Sequence, residues 1–115
     1  MATYTQILKL LEDVVGPALY ELSEELEDNP DNNYYKFNVG NDGPQTDPRR
    51  PIRAAKSISI YDGMTHIQTV SIFCPDSDIL RCGDLGTIGS FDALDPDNIT
   101  TETVKAAVRK HLDVS

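Results

Sequence analysis

The feature that most constrains this chain is an apolar stripe near its start: Ile7, Leu8, Leu11, Val14, Val15, Ala18, Leu19, Leu22 and Leu26. Their i, i+3, i+4, i+7 rhythm is that of an amphipathic helix with one buried face, which must be covered by other elements. Gly16-Pro17 interrupts the run. Proline lacks an N–H and is best tolerated in a first helical turn, so the pair predicts a kink or two helices, about 3 to 15 and 17 to 28, with the stripe in phase across the break. Opposite the stripe, at about 100° per residue, lie Lys9, Asp13, Tyr20, Glu24 and Glu27, with Glu12, Glu21 and Asp28 at the border. Glu24, Glu25, Glu27 and Asp28 crowd the helix C-terminus. The dipole and free carbonyls there prefer cations, so each acid weakens the helix by some tenths of a kcal/mol.

Asp28-Asn29-Pro30-Asp31-Asn32 supplies turn chemistry, after which Tyr35, Phe37 and Val39 alternate with polar neighbours as a half-buried strand does. Residues 40–51 hold three prolines, two glycines and no apolar side chain. They predict a long loop, the most mobile internal segment, in which Arg49 and Arg50 are candidate contact residues. Residues 52–61 and 65–74 predict a hairpin about Asp62-Gly63, with Tyr61 opposite Met64. That register puts Ile58 and Val70 on different faces. Either a bulge near Gln68-Thr69 restores the phase or the sheet is covered on both sides. Pro75 to Asp78 turns into a short strand at Ile79 to Cys82, and residues 83–97 read as irregular.

A last helix starts at Thr100, a capping hydroxyl, with Glu102 in its first turn, Val104, Ala107, Val108 and Leu112 on one face, and Arg109 and Lys110 near its end. The expected fold class is α+β: a kinked N-terminal helix, an antiparallel meander of three to four strands and a C-terminal helix, one domain over 1–115 with the helices on one sheet face.

Nineteen acids against ten bases leave a net charge of −9 over 115 residues. This argues against direct nucleic-acid binding, which needs Lys and Arg at phosphates. Residues 1–31 carry one base and eight acids, whereas Arg49, Arg50, Arg53 and Lys56 form a small basic island. Solubility, salt adaptation (Asp exceeds Glu 13 to 6) and an acidic partner-binding face all fit this balance. No apolar run reaches the roughly 20 residues of a membrane span, and Lys9 followed by acids does not form a leader pattern, so a cytoplasmic protein is expected. Cys74 and Cys82, spaced C-x7-C, are expected as buried thiols rather than zinc ligands.

Catalytic patterns are weak. Gly83, Gly86 and Gly89 lack the following helix and Lys-Ser/Thr pair of a phosphate loop and read better as turns that need positive φ. Asp76, Asp78, Asp84, Asp92, Asp95 and Asp97 match no calcium loop, and His66 and His111 have no nucleophile frame beside them. No cofactor and no metal is expected. These residues predict a non-enzymatic interaction protein: an inhibitor or an immunity or anti-defence protein that mimics nucleic acid and occludes a basic surface of a partner protein. The candidate contacts are Glu12, Asp13, Tyr20, Glu21, Glu24, Glu27, Asp28, Arg49 and Arg50, on a monomer or homodimer that does not bind a membrane. A chaperone or adaptor for a client protein is the alternative, and a small enzyme the third reading.

Overall fold

A computed structural model describes residues 4–42, 54–76, 79–84 and 91–113. The N-terminal helix is continuous in three parts: α1 (Tyr4–Leu10), a π-helical segment (Leu11–Val15) and α2 (Gly16–Asp28). The stripe explains the middle part. From Ile7 through Leu11, Val15, Leu19 and Leu22 to Leu26 it spends nineteen residues on five turns, where five α-helical turns take about eighteen. A π turn inserts the extra residue. The Gly16 N–H accordingly donates to the Leu11 carbonyl, five residues back, and the loosened turn ends where Pro17 supplies no donor. The helix is thus neither broken nor in α-helical phase across Gly16-Pro17.

A short 3-10 turn (Pro30–Asn32) leads into β1 (Tyr35–Asp42), β2 (Ala54–Asp62), β3 (Thr65–Asp76), β4 (Ile79–Asp84) and β5 (Asp92–Leu94). They form an antiparallel meander in sequence order, β1-β2-β3-β4-β5. The strand count is five rather than three to four. β5 pairs Leu80 with Leu94, Arg81 with Ala93 and Cys82 with Asp92, and its three residues are too few to show an alternation in sequence. β1 also runs on through Asp42, so the segment read as a loop from residue 40 begins as strand. Arg49, Arg50 and Arg53 lie outside the described residues.

The β2–β3 turn is Gly63-Met64, closed by Asp62 opposite Thr65, one residue later than expected, and Gly63 takes the positive φ of 62°. Tyr61 pairs with His66 but Ile60 with Gln68, so Ile67 is the bulged residue. The bulge brings Ile58 and Ile60 onto the same face as Val70 and Ile72. There they pack with Phe37, Leu80, Cys74 and Cys82 beneath Ile7, Leu11, Val15, Leu19, Leu22 and Leu26. The opposite face is covered as well, by Ala55, Phe73 and Phe91, with the two rings edge to face at 5.3 Å. Both readings of the phase conflict therefore hold, at different ends of the strands.

α3 (Thr101–His111) packs against α2 and over β3 and β4 through Val104 and Val108. Thr100 and Thr103 form a reciprocal capping box. At the other end Gln68, buried on β3, donates to the His111 carbonyl at 2.7 Å and accepts the Asp113 N–H at 2.9 Å. Both helix ends are thus pinned by named side chains.

Candidate functional site

The outward side of α2 carries Tyr20, Glu24, Glu27 and Asp28, all exposed, with Tyr20 60% accessible. Its inward side, Ala18, Leu19, Leu22 and Leu26, is fully committed to the core. Burial of one side therefore fixes the direction of the other. Tyr20 sits one turn before Glu24, and Glu27 one turn after it, so the aromatic ring and the carboxylates share one line.

The other acids of the helix have different fates. Glu21 and Glu25 turn toward α3, where Lys105 reaches them with its Nζ at 2.6 Å and 3.0 Å. The Lys105 side chain is only 7% exposed, and these carboxylates raise its pKa. Arg109 adds a looser contact to Glu25 at 3.8 Å. Glu12, on the π segment, meets Lys56 of β2 at 3.1 Å. Lys56 is thus a buried, paired residue beneath the helix rather than a member of an exposed basic island. Glu24, Glu27, Asp28 and Asp13 take part in no ion pair among the described residues.

Asp13 stands apart from the Tyr20 line. The residue inserted by the π segment rotates what precedes it by up to about 100° relative to α2. Lys9 and Asp13 consequently line a groove of about 520 Å³ with Gln6, Leu10 and Val14 on one wall and Pro96 and Asp97 on the other. The second wall is a 3-10 turn, Pro96–Asn98, built like the Pro30–Asn32 turn. Asn29 accepts the Asp31 N–H and Asp95 the Asp97 N–H, each at 3.0 Å. Asp95 also takes Asn98 Nδ2 at 2.6 Å, and these bonds hold its carboxyl below the usual range. Asp95 is a structural cap, whereas Asp97 is exposed and lines the groove.

The remaining candidate groups are structural in this fold. Asp92 accepts from His111 Nε2 at 2.8 Å and Lys110 Nζ at 3.4 Å, clasping β5 to the end of α3, and these partners lower its pKa. Cys82 is paired with Asp92 across the ladder, but burial, aided by Asp92, pushes its thiol up to about 12. A Cys, a His and an Asp meet here without an activated nucleophile, because the reactive form is the thiolate. Neither cysteine is in a disulfide. His66 bonds Thr69 Oγ1 at 2.6 Å and stacks edge-on against Tyr61. Gly83 is required not by positive φ but because a Cβ there would run into the Phe91 ring. Among the described residues no three His, Cys, Asp or Glu side chains are grouped to hold a metal ion, and no helix is long and apolar enough to cross a membrane.

Sequence reasoning missed Lys56 and Lys105 as partners of the acids, and it missed the groove. Lys105 adjoins Val104 and precedes Val108 by three positions, a hint that it sits at the edge of the buried stripe. The groove joins residues more than eighty positions apart and has no local signal. The chain matches no protein-family model, no curated protein and no solved structure.

Proposed function

We propose that this protein acts by binding, as an inhibitor or an immunity or anti-defence protein whose acidic helix occludes a basic, nucleic-acid-binding surface of a partner protein. One observation carries the reading. The fold uses Glu12, Glu21 and Glu25 internally, yet leaves Glu24, Glu27 and Asp28 without an ion pair among the described residues, beside an exposed tyrosine. Those three acids weaken the helix end they occupy and form no ion pair among the described residues in return. Carboxylates along a rigid helix can stand in for phosphates, and a net charge of −9 steers a basic partner toward them. Tyr20 supplies the kind of aromatic anchor found at interface centres.

Reversing Asp13, Glu24 and Glu27 to Lys tests the proposal, because none of the three supports the core. Wild-type protein captures a basic partner from its native host, with affinity falling steeply as salt rises. The triple variant keeps its circular dichroism and melting profile and loses that partner. Retention of the partner with an unchanged salt slope overturns the reading. The competing reading, a chaperone or adaptor, draws on the apolar floor of the groove beside α1 and predicts capture that persists at high salt.

A further inference from the structure

We infer that the groove between the π-helical segment and the Pro96 turn seats an arginine side chain presented by the partner protein. The inference rests on the binding function proposed above and names the chemistry of one contact. The apolar residues Leu10, Val14 and Pro96 line the groove, and Asp13 and Asp97, both exposed acids, line it from the helix and from the Pro96 turn. An alkyl stem that ends in a cation matches that combination, because its methylenes cover the apolar floor while its head meets the acids. Arginine fits better than lysine. Its planar fork carries five donors and can address carboxylates on two sides, whereas an ammonium is a point charge that holds its water more tightly.

Among the described residues neither acid takes part in an ion pair. Lys105 is held by Glu21 and Glu25, Lys56 by Glu12, and Lys110 and His111 by Asp92. Lys9 lines the same groove without forming an ion pair among the described residues. It opposes a cationic occupant and sets an upper limit on affinity. About 520 Å³ exceeds what one side chain fills, so the occupant is an arginine within a peptide segment rather than a free small cation. The π turn contributes directly, since it is the inserted residue that brings Asp13 round to the groove wall.

The test is a titration of isotope-labelled protein with acetyl-Leu-Arg-Leu-amide and with the same peptide carrying citrulline, followed by amide chemical shifts. The arginine peptide is expected to shift the Leu10, Val14 and Asp97 amides with a millimolar or tighter dissociation constant, and the citrulline peptide to bind at least tenfold more weakly. Asp13→Asn with Asp97→Asn, both exposed and isosteric, reduces arginine-peptide affinity at least tenfold. Glu24→Gln with Glu27→Gln changes it less than twofold, and Lys9→Gln tightens it severalfold. Equal binding of the two peptides, free arginine binding as tightly as the peptide, an unaffected Asp13/Asp97 variant or unmoved groove amides each overturn the inference. Loss of the host partner by Glu24→Lys with Glu27→Lys alongside a failed peptide titration removes the groove assignment and leaves the functional reading standing. A seated peptide with partner capture indifferent to those two reversals does the opposite.

Discussion

The N-terminal helix and α3 bury similar apolar stripes but are held by opposite means. α3 follows local rules throughout: a reciprocal threonine capping box, Glu102 in the first turn, and Arg109, Lys110 and His111 in the last. The N-terminal helix has no side-chain cap on α2, a proline at its first turn, no basic residue at its end, and an inserted residue in its middle. It persists because tertiary contacts hold it. Seven of its apolar side chains are at most 2% exposed, and Lys56 and Lys105 tie its acids to β2 and α3. A helix secured by packing can carry residues that its local chemistry disfavours. The acids that crowd a helix C-terminus sit on that helix, whereas Glu102, also in no ion pair among the described residues, stands in the first turn of α3 where the dipole favours it.

The sharpest way to break this comparison is to delete one residue from each helix. α3 is pinned at Thr100 and again at Gln68, so removal of exposed Ala106 cannot be absorbed by sliding. Val108 and Leu112 would turn by about 100° away from the core. The expected loss is roughly 2–4 kcal/mol, since full burial is worth about 1.5–3 kcal/mol per side chain and Leu112 is only half-buried. Removal of Asp13, combined with Pro17→Ala to relieve the ring, should instead convert the π segment to α-helix and leave the stripe at eighteen residues for five turns. The expected change is below about 1.5 kcal/mol, the size of a tolerated core adjustment. Urea denaturation measures both, and an equal loss in the two deletions would refute the assignment of the π turn to the extra residue.

That extra residue was legible in the spacing from Ile7 to Leu26, but only by counting residues per turn; the apolar pattern alone looks continuous. The helices, their order and the face of Tyr20, Glu24 and Glu27 were also legible, because each follows from a local period. The fifth strand was not, since Asp92-Ala93-Leu94 forms only by pairing with β4. The division of the acids into paired and unpaired was not legible either. It depends on Lys105, eighty-four positions from Glu21, and on Lys56, forty-four from Glu12. Long-range electrostatics leave no period in a sequence, so the acidic face could be located while its internally neutralised members could not be separated out.

The clasps of α3 sharpen the comparison through pH. Asp92 has a lowered pKa, so its contribution to stability is present above the ordinary carboxylate value of about 3.9 and is lost as pH falls through the folded value. Lys105 has a raised pKa. Its contribution is present below about 10.4 and is lost as pH rises through the folded value. Cys82, raised to about 12, adds an earlier alkaline loss that starts near the ordinary thiol value of about 8.5. Urea midpoints across pH should show Lys105→Met flattening only the alkaline limb, and Asp92→Asn flattening the acid limb while also easing, to a smaller extent, the alkaline loss from the Cys82 thiol that Asp92 helps to raise. An effect of Lys105→Met on the acid limb would mean that the two clasps are not independent.

The cap is the next smaller effect. Thr100→Ala removes the hydroxyl that accepts the Thr103 N–H at 3.2 Å and is expected to destabilise by about 1 kcal/mol. No substitution of this kind is available on α2, whose N-cap position is Val15 and makes no side-chain bond.

The smallest expected change on stability is the most informative about function. Glu27 is exposed, forms no ion pair among the described residues and stands in the last turn of α2, where a cation interacts favourably with the helix dipole. Glu27→Lys should therefore stabilise the domain by about 0.3–1 kcal/mol, read as a raised urea midpoint at low salt that fades as salt screens the interaction. If the acid is present for a partner, the same variant captures that partner less well although its fold is firmer. Opposite signs in the two measurements separate a residue kept for binding from one kept for folding. A variant that is stabilised and binds unchanged would place Glu27 outside the interface and shift the contact toward Tyr20 and Glu24, whereas a destabilised variant would reveal an internal role for Glu27 that its exposure argues against.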